Sequence, residues 1–177
     1  EKAGLVIEFD KCINMTVNYM NNSYRLRDIY FRSPSEHTVG GGYYSAEIQL
    51  IHEHMVSDKV LAMSVFLQAS TSVETEMNDN HALSMFWNFS NINPLNPYNT
   101  LLPGSPAHYA YNGSLTFPPC TENVQWVVYQ DAIPISTADL QRIRAFNAAH
   151  NESIVSEYGN NNRTPPQPLY DRVIYYV

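Results

Sequence analysis

Most hydrophobic positions along the chain fall in short runs of strand length, rich in Val, Ile, Tyr and Phe and bounded by Gly, Pro, Asn or Ser. Such runs favour β-strands. They cover residues 5–9, 25–32, 44–52, 60–68, 109–115, 124–129 and 172–176. Three consecutive glycines at 40–42 predict a tight connection between the second and third runs. The pattern predicts a mainly β (α+β) fold.

One helix is signalled near residue 137. Ser136 can cap it, and Asp139 follows three residues later in a near capping box. Leu140, Ile143 and Phe146 then recur at helical spacing. This combination predicts a helix that packs one apolar side on the rest of the fold.

Three other segments give weaker signals. Residues 81–87 favour a short helix, residues 91–106 contain four prolines and predict an ordered surface loop, and residues 160–168 predict irregular structure. No repeat and no domain boundary interrupts the chain, so residues 1–177 are expected to form a single domain.

Composition excludes several classes of protein. The 177 residues are 44% hydrophobic, which is enough for a packed core. The net charge is −7 with ten Lys plus Arg and no basic run, so nucleic acid is not an expected partner. No apolar run is long enough for a membrane span. No signal peptide is visible at Glu1, which a processed start would explain as well as cytosolic residence.

Six Asn-x-Ser/Thr triplets occur, where about two or three are expected by chance. The excess favours a secreted or cell-surface glycoprotein, while an Asn-rich chain could also match by accident. Asn112 leads into a predicted strand and is set aside. The glycosylation candidates are Asn14, Asn21, Asn88, Asn151 and Asn162.

Two cysteines, Cys12 and Cys120, could form one disulfide, which an oxidising compartment would favour. Two cysteines do not decide the matter by themselves. The pair is therefore a disulfide candidate only.

Two motifs carry a family resemblance. Ser-Pro-Ser-Glu-His-Thr-Val at 33–39 and Tyr-Asn-Gly-Ser-Leu-Thr-Phe-Pro-Pro-Cys-Thr-Glu-Asn-Val-Gln-Trp at 111–126 closely resemble signature segments of the α-class carbonic anhydrases. Residues 44–52, 60–67 and 167–172 are similar to further family segments. The resemblance implies a large, twisted, mostly antiparallel sheet with short peripheral helices, of which this chain lacks the N-terminal third. In extracellular members the cysteine that matches Cys120 pairs with one in that absent part.

The resemblance also places the metal ligands. The family holds zinc with three histidines, and at the matching positions this chain has Tyr30, Arg32 and Gln49. Arginine does not lose its proton in proteins and repels a cation, and a glutamine oxygen is a weak ligand. Without zinc nothing lowers the pKa of water enough to form hydroxide near pH 7. We therefore expect no metal, no catalytic residue and no cofactor, with zinc present only if another site replaces the lost one.

Residues around that position match the family. By resemblance, Thr116 would orient the zinc-bound hydroxide, Glu36 would accept its hydrogen bond, and Glu47 would fix the third histidine. Without zinc we expect these three to support the fold. The family wall that receives carbon dioxide is matched by Ala62, Val124 and Trp126.

Arg32 suggests a replacement for the metal charge. Its guanidinium would lie where zinc lay, within reach of Glu36 or Glu47, and would neutralise them. A sharper hypothesis is that Arg32 binds a small anion. His52 and His54 are alternate residues and share a strand face, where a His-x-His pair could bind a metal ion. Gln49 has the opposite parity and lies on the other face, so the sequence shows no third metal ligand there.

These observations favour a non-catalytic, carbonic-anhydrase-like extracellular glycoprotein that serves as a structural or binding module in a larger assembly. Other protein chains would be its partners, one of which could complete the sheet. Two alternatives stay open: an active carbonate dehydratase with a displaced or different metal, and small-anion or carbohydrate binding through the former active-site cavity.

Overall fold

A mixed sheet of nine strands dominates the computed structural model, which describes residues 6–9, 15–71, 83, 96–149 and 162–177. The strands are β1 Val6–Glu8, β2 Thr16–Tyr19, β3 Asn22–Arg32, β4 Ala46–His54, β5 Val60–Ala69, β6 His108–Ser114, β7 Glu122–Tyr129, β8 Ile133–Ile135 and β9 Tyr175–Tyr176. Their order is β1-β3-β4-β5-β7-β6-β9, with β2 also on β3 and β8 also on β5. Pairing is antiparallel except where β7 and β8 run parallel to β5.

Two helices accompany the sheet in the described part of the chain: α1 Pro97–Leu101 and α2 Thr137–Ala149. The capping box predicted for α2 is present, since Asp139 N donates to Ser136 Oγ at 3.0 Å and Ser136 Oγ donates to Asp139 Oδ2 at 2.8 Å. Leu140 and Ile143 are buried on the same side of the helix. The sequence prediction of this helix is confirmed.

The sheet has two unlike faces. One face carries the larger apolar cluster, with residues such as Ile29, Ile48 and Val65, and α2 packs there through Leu140 and Ile143. The other face carries a smaller apolar cluster, which includes Tyr30 and Trp126, next to a group of buried polar side chains. The alternation of side chains along β3, β4 and β5 assigns these residues to opposite faces. The candidate site lies on the second face.

The predicted strands are all present, with shifts of one to three residues at their ends, and β9 is much shorter than residues 172–176. Two strands were missed. β2 pairs as a hairpin with β3 through Met20 and Asn21, which both have positive φ, 47° and 60°. β8 contains Pro134, which normally argues against a strand.

The loop predicted over residues 91–106 is wrong in part. Pro97 occupies the first turn of α1, where its missing N–H costs nothing, and Asn96 Oδ1 accepts from Tyr98 N at 3.0 Å. The helix predicted at 81–87 lies outside the described residues except for Leu83, which is buried. Among the described residues, no helix has the length and hydrophobicity to cross a membrane.

Candidate functional site

The sheet register brings the three degenerate ligand positions together. Tyr30 pairs with Gln49 across β3 and β4, and Arg32 pairs with Glu47. Because Tyr30 and Arg32 alternate along β3, all four side chains lie on one face. The exposed fraction of each is 1% or less. The positions inferred by resemblance are therefore neighbours in a buried polar cluster.

Glu47 is the hub of that cluster. Its Oε2 accepts hydrogen bonds from the backbone N of Glu36 at 2.8 Å and of His37 at 2.9 Å. Its Oε1 lies 2.7 Å from His37 Nδ1 and accepts from Ser64 Oγ at 2.7 Å and Gln49 Nε2 at 2.9 Å. Five donors on one buried carboxylate strongly favour its charged form.

His37 is the charge partner of Glu47. Its Nδ1 contacts the carboxylate, and its Nε2 lies 2.6 Å from the Tyr111 hydroxyl. Burial by itself lowers the pKa of His37, but the Glu47 charge and hydrogen bond outweigh it and raise the pKa above its ordinary value. Burial raises the pKa of Glu47, yet His37 and the other donors lower it to about 2. The pair is held as imidazolium and carboxylate below neutral pH.

Glu36 forms the second carboxylate of the cluster, and its two oxygens have different partners. Oε1 accepts from Thr164 N at 2.7 Å, and Oε2 accepts from Gln49 Nε2 at 2.8 Å. Arg32 Nε lies 3.5 Å from Oε2. The guanidinium thus faces Glu36 rather than bulk solvent, in the region where the sequence hypothesis put it.

Gln49 connects the two carboxylates. Both hydrogens of its amide are used, one toward Glu36 and one toward Glu47. This fixes the amide orientation, because a flipped group would point its oxygen at two anions. Its Oε1 is buried without a hydrogen-bond partner among the described residues.

The Thr116 hydroxyl makes no hydrogen bond to Glu36 in the structure. Thr116 Oγ1 is buried and finds no hydrogen-bond partner within the described parts of the chain. The Glu36 oxygens are engaged instead with Thr164, Gln49 and Arg32. The backbone of Thr116 is held in place instead, because its carbonyl oxygen accepts a hydrogen bond from Thr164 Oγ1 at 2.9 Å.

An aromatic stack covers the cluster. The Tyr30 and Phe117 rings lie 4.4 Å apart between centroids, at an interplanar angle of 29°. The Arg32 guanidinium carbon is 5.3 Å from the Tyr30 centroid and 5.8 Å from that of Phe117, within cation–π range. Beyond the stack lies an open groove of about 490 Å³.

The wall predicted to receive a small molecule is part of the core. Ala62, Val124 and Trp126 are at most 1% exposed, and they pack in one cluster with Tyr30 and Phe117. None of the three lines the groove. Because the two rings fill the space in front of it, this wall is not a ligand-accessible surface in the structure.

The donor set does not suit zinc. A catalytic zinc site needs three protein donors such as neutral imidazole, thiolate or carboxylate, and the ligand positions here offer a phenol, a guanidinium and an amide. Across the residues that the structure describes, no group of three or more His, Cys, Asp or Glu could hold a metal ion. The guanidinium of Arg32 supplies the positive charge at this place.

Two residues of the cluster, Ser64 and Thr164, were not found from the sequence. Ser64 interrupts an apolar strand at the parity of Ala62, and that break in pattern is a signal that could have identified it. Thr164 reaches Glu36 from an irregular segment whose contacts no local pattern predicts.

Asn162, one of the glycosylation candidates, has a buried side chain that connects three parts of the fold. Its Nδ2 donates to Phe31 O at 2.9 Å, and its Oδ1 accepts from Ser33 N and Asn147 Nδ2, both at 3.0 Å. A glycan on Nδ2 would break this packing, since the residue is 5% exposed. Asn14, Asn88 and Asn151 lie outside the described residues.

Cysteine pairing stays a prediction. Cys120 is exposed and unbonded in the structure, with φ of 56°, while Cys12 lies outside the described residues.

His52 and His54 do not form the surface pair that their spacing suggested. His52 is buried on the face opposite Gln49, with Nδ1 donating to Leu61 O at 3.1 Å and Nε2 accepting from the Tyr98 hydroxyl at 2.9 Å. Burial lowers its pKa to about 4 despite the backbone hydrogen bonds. His52 is therefore a neutral core residue at pH 7.

We expect the free energy of unfolding to fall in acid in two steps. His52 titrates lower in the folded protein than its ordinary value of 6.5, so its contribution is complete above pH 6.5 and lost toward pH 4. Glu47 titrates near 2 instead of 4.5, so its contribution is complete above pH 4.5 and lost toward pH 2. Urea unfolding at a series of pH values measures both.

The matched variant is His52→Gln, whose side chain does not titrate. It should abolish only the decrease in the free energy of unfolding between pH 6.5 and 4. His37 acts in the opposite sense, because its raised pKa adds stability below pH 6.5 that is lost as the pH rises. A His37→Gln variant should therefore lack the gain in the free energy of unfolding that His37 provides as the pH falls through its raised pKa to 6.5. Unchanged profiles in both variants would contradict the assignment.

Comparisons with known proteins identify relatives along nearly the whole chain. The model of the family "Eukaryotic-type carbonic anhydrase" matches residues 3–177. Carbonic anhydrase 1 of Oryctolagus cuniculus is 32% identical over 88% of this chain and 74% of its own length. Dioscorin DB3L of Dioscorea polystachya is 30% identical over 86% of this chain, but the match spans about half, 54%, of that relative. The structure of the α-carbonic anhydrase of Thermovibrio ammonificans with sulfanilamide has a TM-score of 0.71 at 26% identity, over 88% of this chain and 64% of its own.

Proposed function

The chain belongs to the eukaryotic-type carbonic anhydrase family, and because Tyr30, Arg32 and Gln49 stand at its expected ligand positions, we propose that it holds no catalytic zinc and works as a non-catalytic structural or binding module. Membership alone does not decide activity, since one fold supports many functions. The relatives carry different names, carbonic anhydrase and dioscorin. The residues of this chain therefore decide between these functions.

The observation that carries the proposal is the buried ion pair of Arg32. Arg32 is 1% exposed, and its guanidinium faces the Glu36 carboxylate and two aromatic rings. A zinc ion next to a permanent cation in this dry environment would be strongly repelled. A small anion is disfavoured as well, because the positive charges of Arg32 and His37 are already balanced by Glu36 and Glu47.

Carbon dioxide hydration tests the proposal. Stopped-flow measurements on the purified protein, with and without added zinc, are expected to give the uncatalysed rate in both cases. A zinc-dependent acceleration would instead support the alternative of an active enzyme with a displaced metal site.

We further propose that the module acts within an assembly. The C-terminal segment, which includes the edge strand β9, exposes seven large hydrophobic residues: Leu169, Tyr170, Val173, Ile174, Tyr175, Tyr176 and Val177. No strand among the described residues pairs with the outer edge of β9, and an open edge beside an apolar surface favours contact with another polypeptide. Hydrogen exchange at residues 172–177 is expected to be slower in native extract than in the isolated chain, and equal rates would argue against a partner there.

A secreted, glycosylated state is the last part of the proposal, and it predicts which sequon is used. Asn21 is exposed at the tip of the β2–β3 hairpin, whereas Asn162 is buried. In protein secreted from eukaryotic cells, Asn21→Gln should remove one glycan and change the unfolding free energy by less than about 0.5 kcal/mol. Asn162→Ala should leave the glycan count unchanged and cost roughly 2 kcal/mol, because it leaves buried backbone groups without partners.

Glycosidase digestion followed by mass spectrometry gives the glycan count, and thermal unfolding gives the stability. Loss of a glycan in Asn162→Ala, or none in Asn21→Gln, would contradict this assignment.

A further inference from the structure

The outer edge of β9 carries backbone groups that point away from the sheet. On the inner edge, Val177 N donates to His108 O of β6 at 2.9 Å, and His108 N donates to Val177 O at 3.0 Å. Hydrogen-bonded and non-hydrogen-bonded pairs alternate along an antiparallel ladder, so the N–H and C=O of Tyr176, the partner of Tyr109, point outward. No strand in the described part of the chain pairs with that edge. The edge therefore offers a donor and an acceptor to a further strand.

Side-chain contacts already hold this edge in position. The rings of Tyr176 and Tyr109 lie 5.2 Å apart between centroids. The Tyr176 hydroxyl donates to Gln130 Oε1 at 2.6 Å. A partner strand would thus meet an ordered template, and less conformational entropy is lost on binding to a template that is already ordered.

The edge lacks the features that usually keep sheet edges apart. Residues 173–177 are Val, Ile and Tyr, which favour strands, and they include no charge and no proline. Their exposed fractions lie between 43% and 67%. Because the segment is uncharged, it can face a copy of itself without the repulsion that like charges directly opposite each other would cause.

The exposed surface is large enough for a dimer contact. A tyrosine can bury roughly 150 to 250 Å². Tyr175 and Tyr176 are 63% and 62% exposed, so these two alone offer roughly 200 to 300 Å². The aliphatic residues of 173–177, together with the exposed Leu169 and Tyr170, extend this area toward the ~800 Å² per partner of a standard interface.

We propose that the outer edge of β9 pairs with β9 of a second copy of this chain, antiparallel about a two-fold axis at Tyr175. The inference rests on the proposed role within an assembly and names the partner. In this register Tyr175 faces its own counterpart, Ile174 faces Tyr176, and Val173 faces Val177. Ile174 has the outward parity of Tyr176, so each of these two symmetry-related pairs exchanges two backbone hydrogen bonds, about four in all.

The symmetry of this pairing limits the assembly. Every residue of 173–177 finds its partner within the same segment of the other copy. A two-fold contact uses the same edge on both copies and therefore closes, which gives a dimer rather than an open fibre.

Sedimentation velocity on the purified whole chain tests the proposal. Interfaces of the standard size bind at micromolar concentrations or below, so the 20.2 kDa chain is expected to shift toward twice that mass between about 1 and 100 μM. A chain that stays monomeric at about 100 μM would overturn the second copy as the partner. Slower hydrogen exchange of residues 172–177 in native extract would then assign the edge to a different polypeptide, whereas equal rates would remove the assembly as well.

Charge variants at Tyr175 test the register. Tyr175→Lys and Tyr175→Glu each place two like charges at the two-fold axis and remove a tyrosine pair, so each is expected to weaken its own dimer about tenfold or more. A mixture of the two should form a heterodimer, because Lys then faces Glu, and this recovery also shows that both variants are folded.

The control is Val56→Lys, which adds the same charge at an 89% exposed residue between β4 and β5 and should leave the dimer unchanged. A dimer that survives Tyr175→Lys, or a mixture of the Lys and Glu variants that stays monomeric, would contradict the pairing at Tyr175.

Discussion

Replacing Tyr30, Arg32 and Gln49 together by histidine is expected to raise the zinc affinity of the chain by at least roughly a thousandfold. The backbone already places the three positions for this. Tyr30 and Arg32 alternate on β3, and Gln49 is the direct partner of Tyr30 on β4. Three imidazoles on one face with an open fourth position are the donor set of a catalytic zinc site.

The surrounding residues would support such a site. Glu47 Oε1 accepts from Gln49 Nε2 at 2.9 Å, so a histidine at position 49 could donate one ring N–H to Glu47 and keep the other nitrogen for the metal. Removing Arg32 also removes the cation that repels zinc. The same substitutions dissolve the Tyr30–Phe117 stack and open a path from the groove.

Isothermal titration with zinc measures the effect. The matched control adds Glu47→Gln to the triple variant and should weaken zinc binding by about 10- to 100-fold, since the partner of the histidine is lost. A folded triple variant that binds zinc no better than the unaltered chain would mean that the three positions do not share a ligand geometry.

Glu47→Gln in the unaltered chain is expected to lower the free energy of unfolding by roughly 3 to 5 kcal/mol. Glu47 is fully buried and accepts from five donors, and an amide can accept at only one of its two ends. The substitution also leaves the His37 charge without its partner. The depression of the Glu47 pKa from 4.5 to about 2 points to a comparable magnitude.

The same substitution at Glu53 is the control. Glu53 lies on the same strand, its side chain is 37% exposed, and its ion pairs with Arg25 and Arg27 are at the surface. Glu53→Gln should cost less than about 1 kcal/mol. Urea unfolding followed by tryptophan fluorescence compares the two variants.

Ser64→Ala offers a milder variant if Glu47→Gln fails to fold. It removes one donor to Glu47 and should cost about 1 kcal/mol. Equal stability of the Glu47 and Glu53 variants would show that the polar cluster does not hold the sheet face together.

Local sequence patterns were sufficient to predict part of the fold and of the candidate site. Alternation along β3 placed Tyr30 and Arg32 on one face, and capping chemistry located α2. Family resemblance assigned Tyr30, Arg32 and Gln49 to the ligand positions but gave no register between β3 and β4, which contains a shift between Leu26 and Asp28 that no local pattern indicates.

Other features depend on tertiary contacts that no periodicity encodes. Thr164 N reaches Glu36 across 128 residues of sequence, and Asn162 reaches Phe31 across 131. The stacking of the Tyr30 and Phe117 rings likewise depends on how β3 and residues 115–121 pack together in the folded chain.

Zinc content is the most direct test of the central claim that Arg32 and its carboxylate partners have replaced the metal centre. Elemental analysis of natively purified protein, with carbon dioxide hydration assayed on the same sample, is expected to give much less than one zinc per chain and no catalysis. About one zinc per chain together with hydration activity would contradict the claim and show that ligands come from elsewhere.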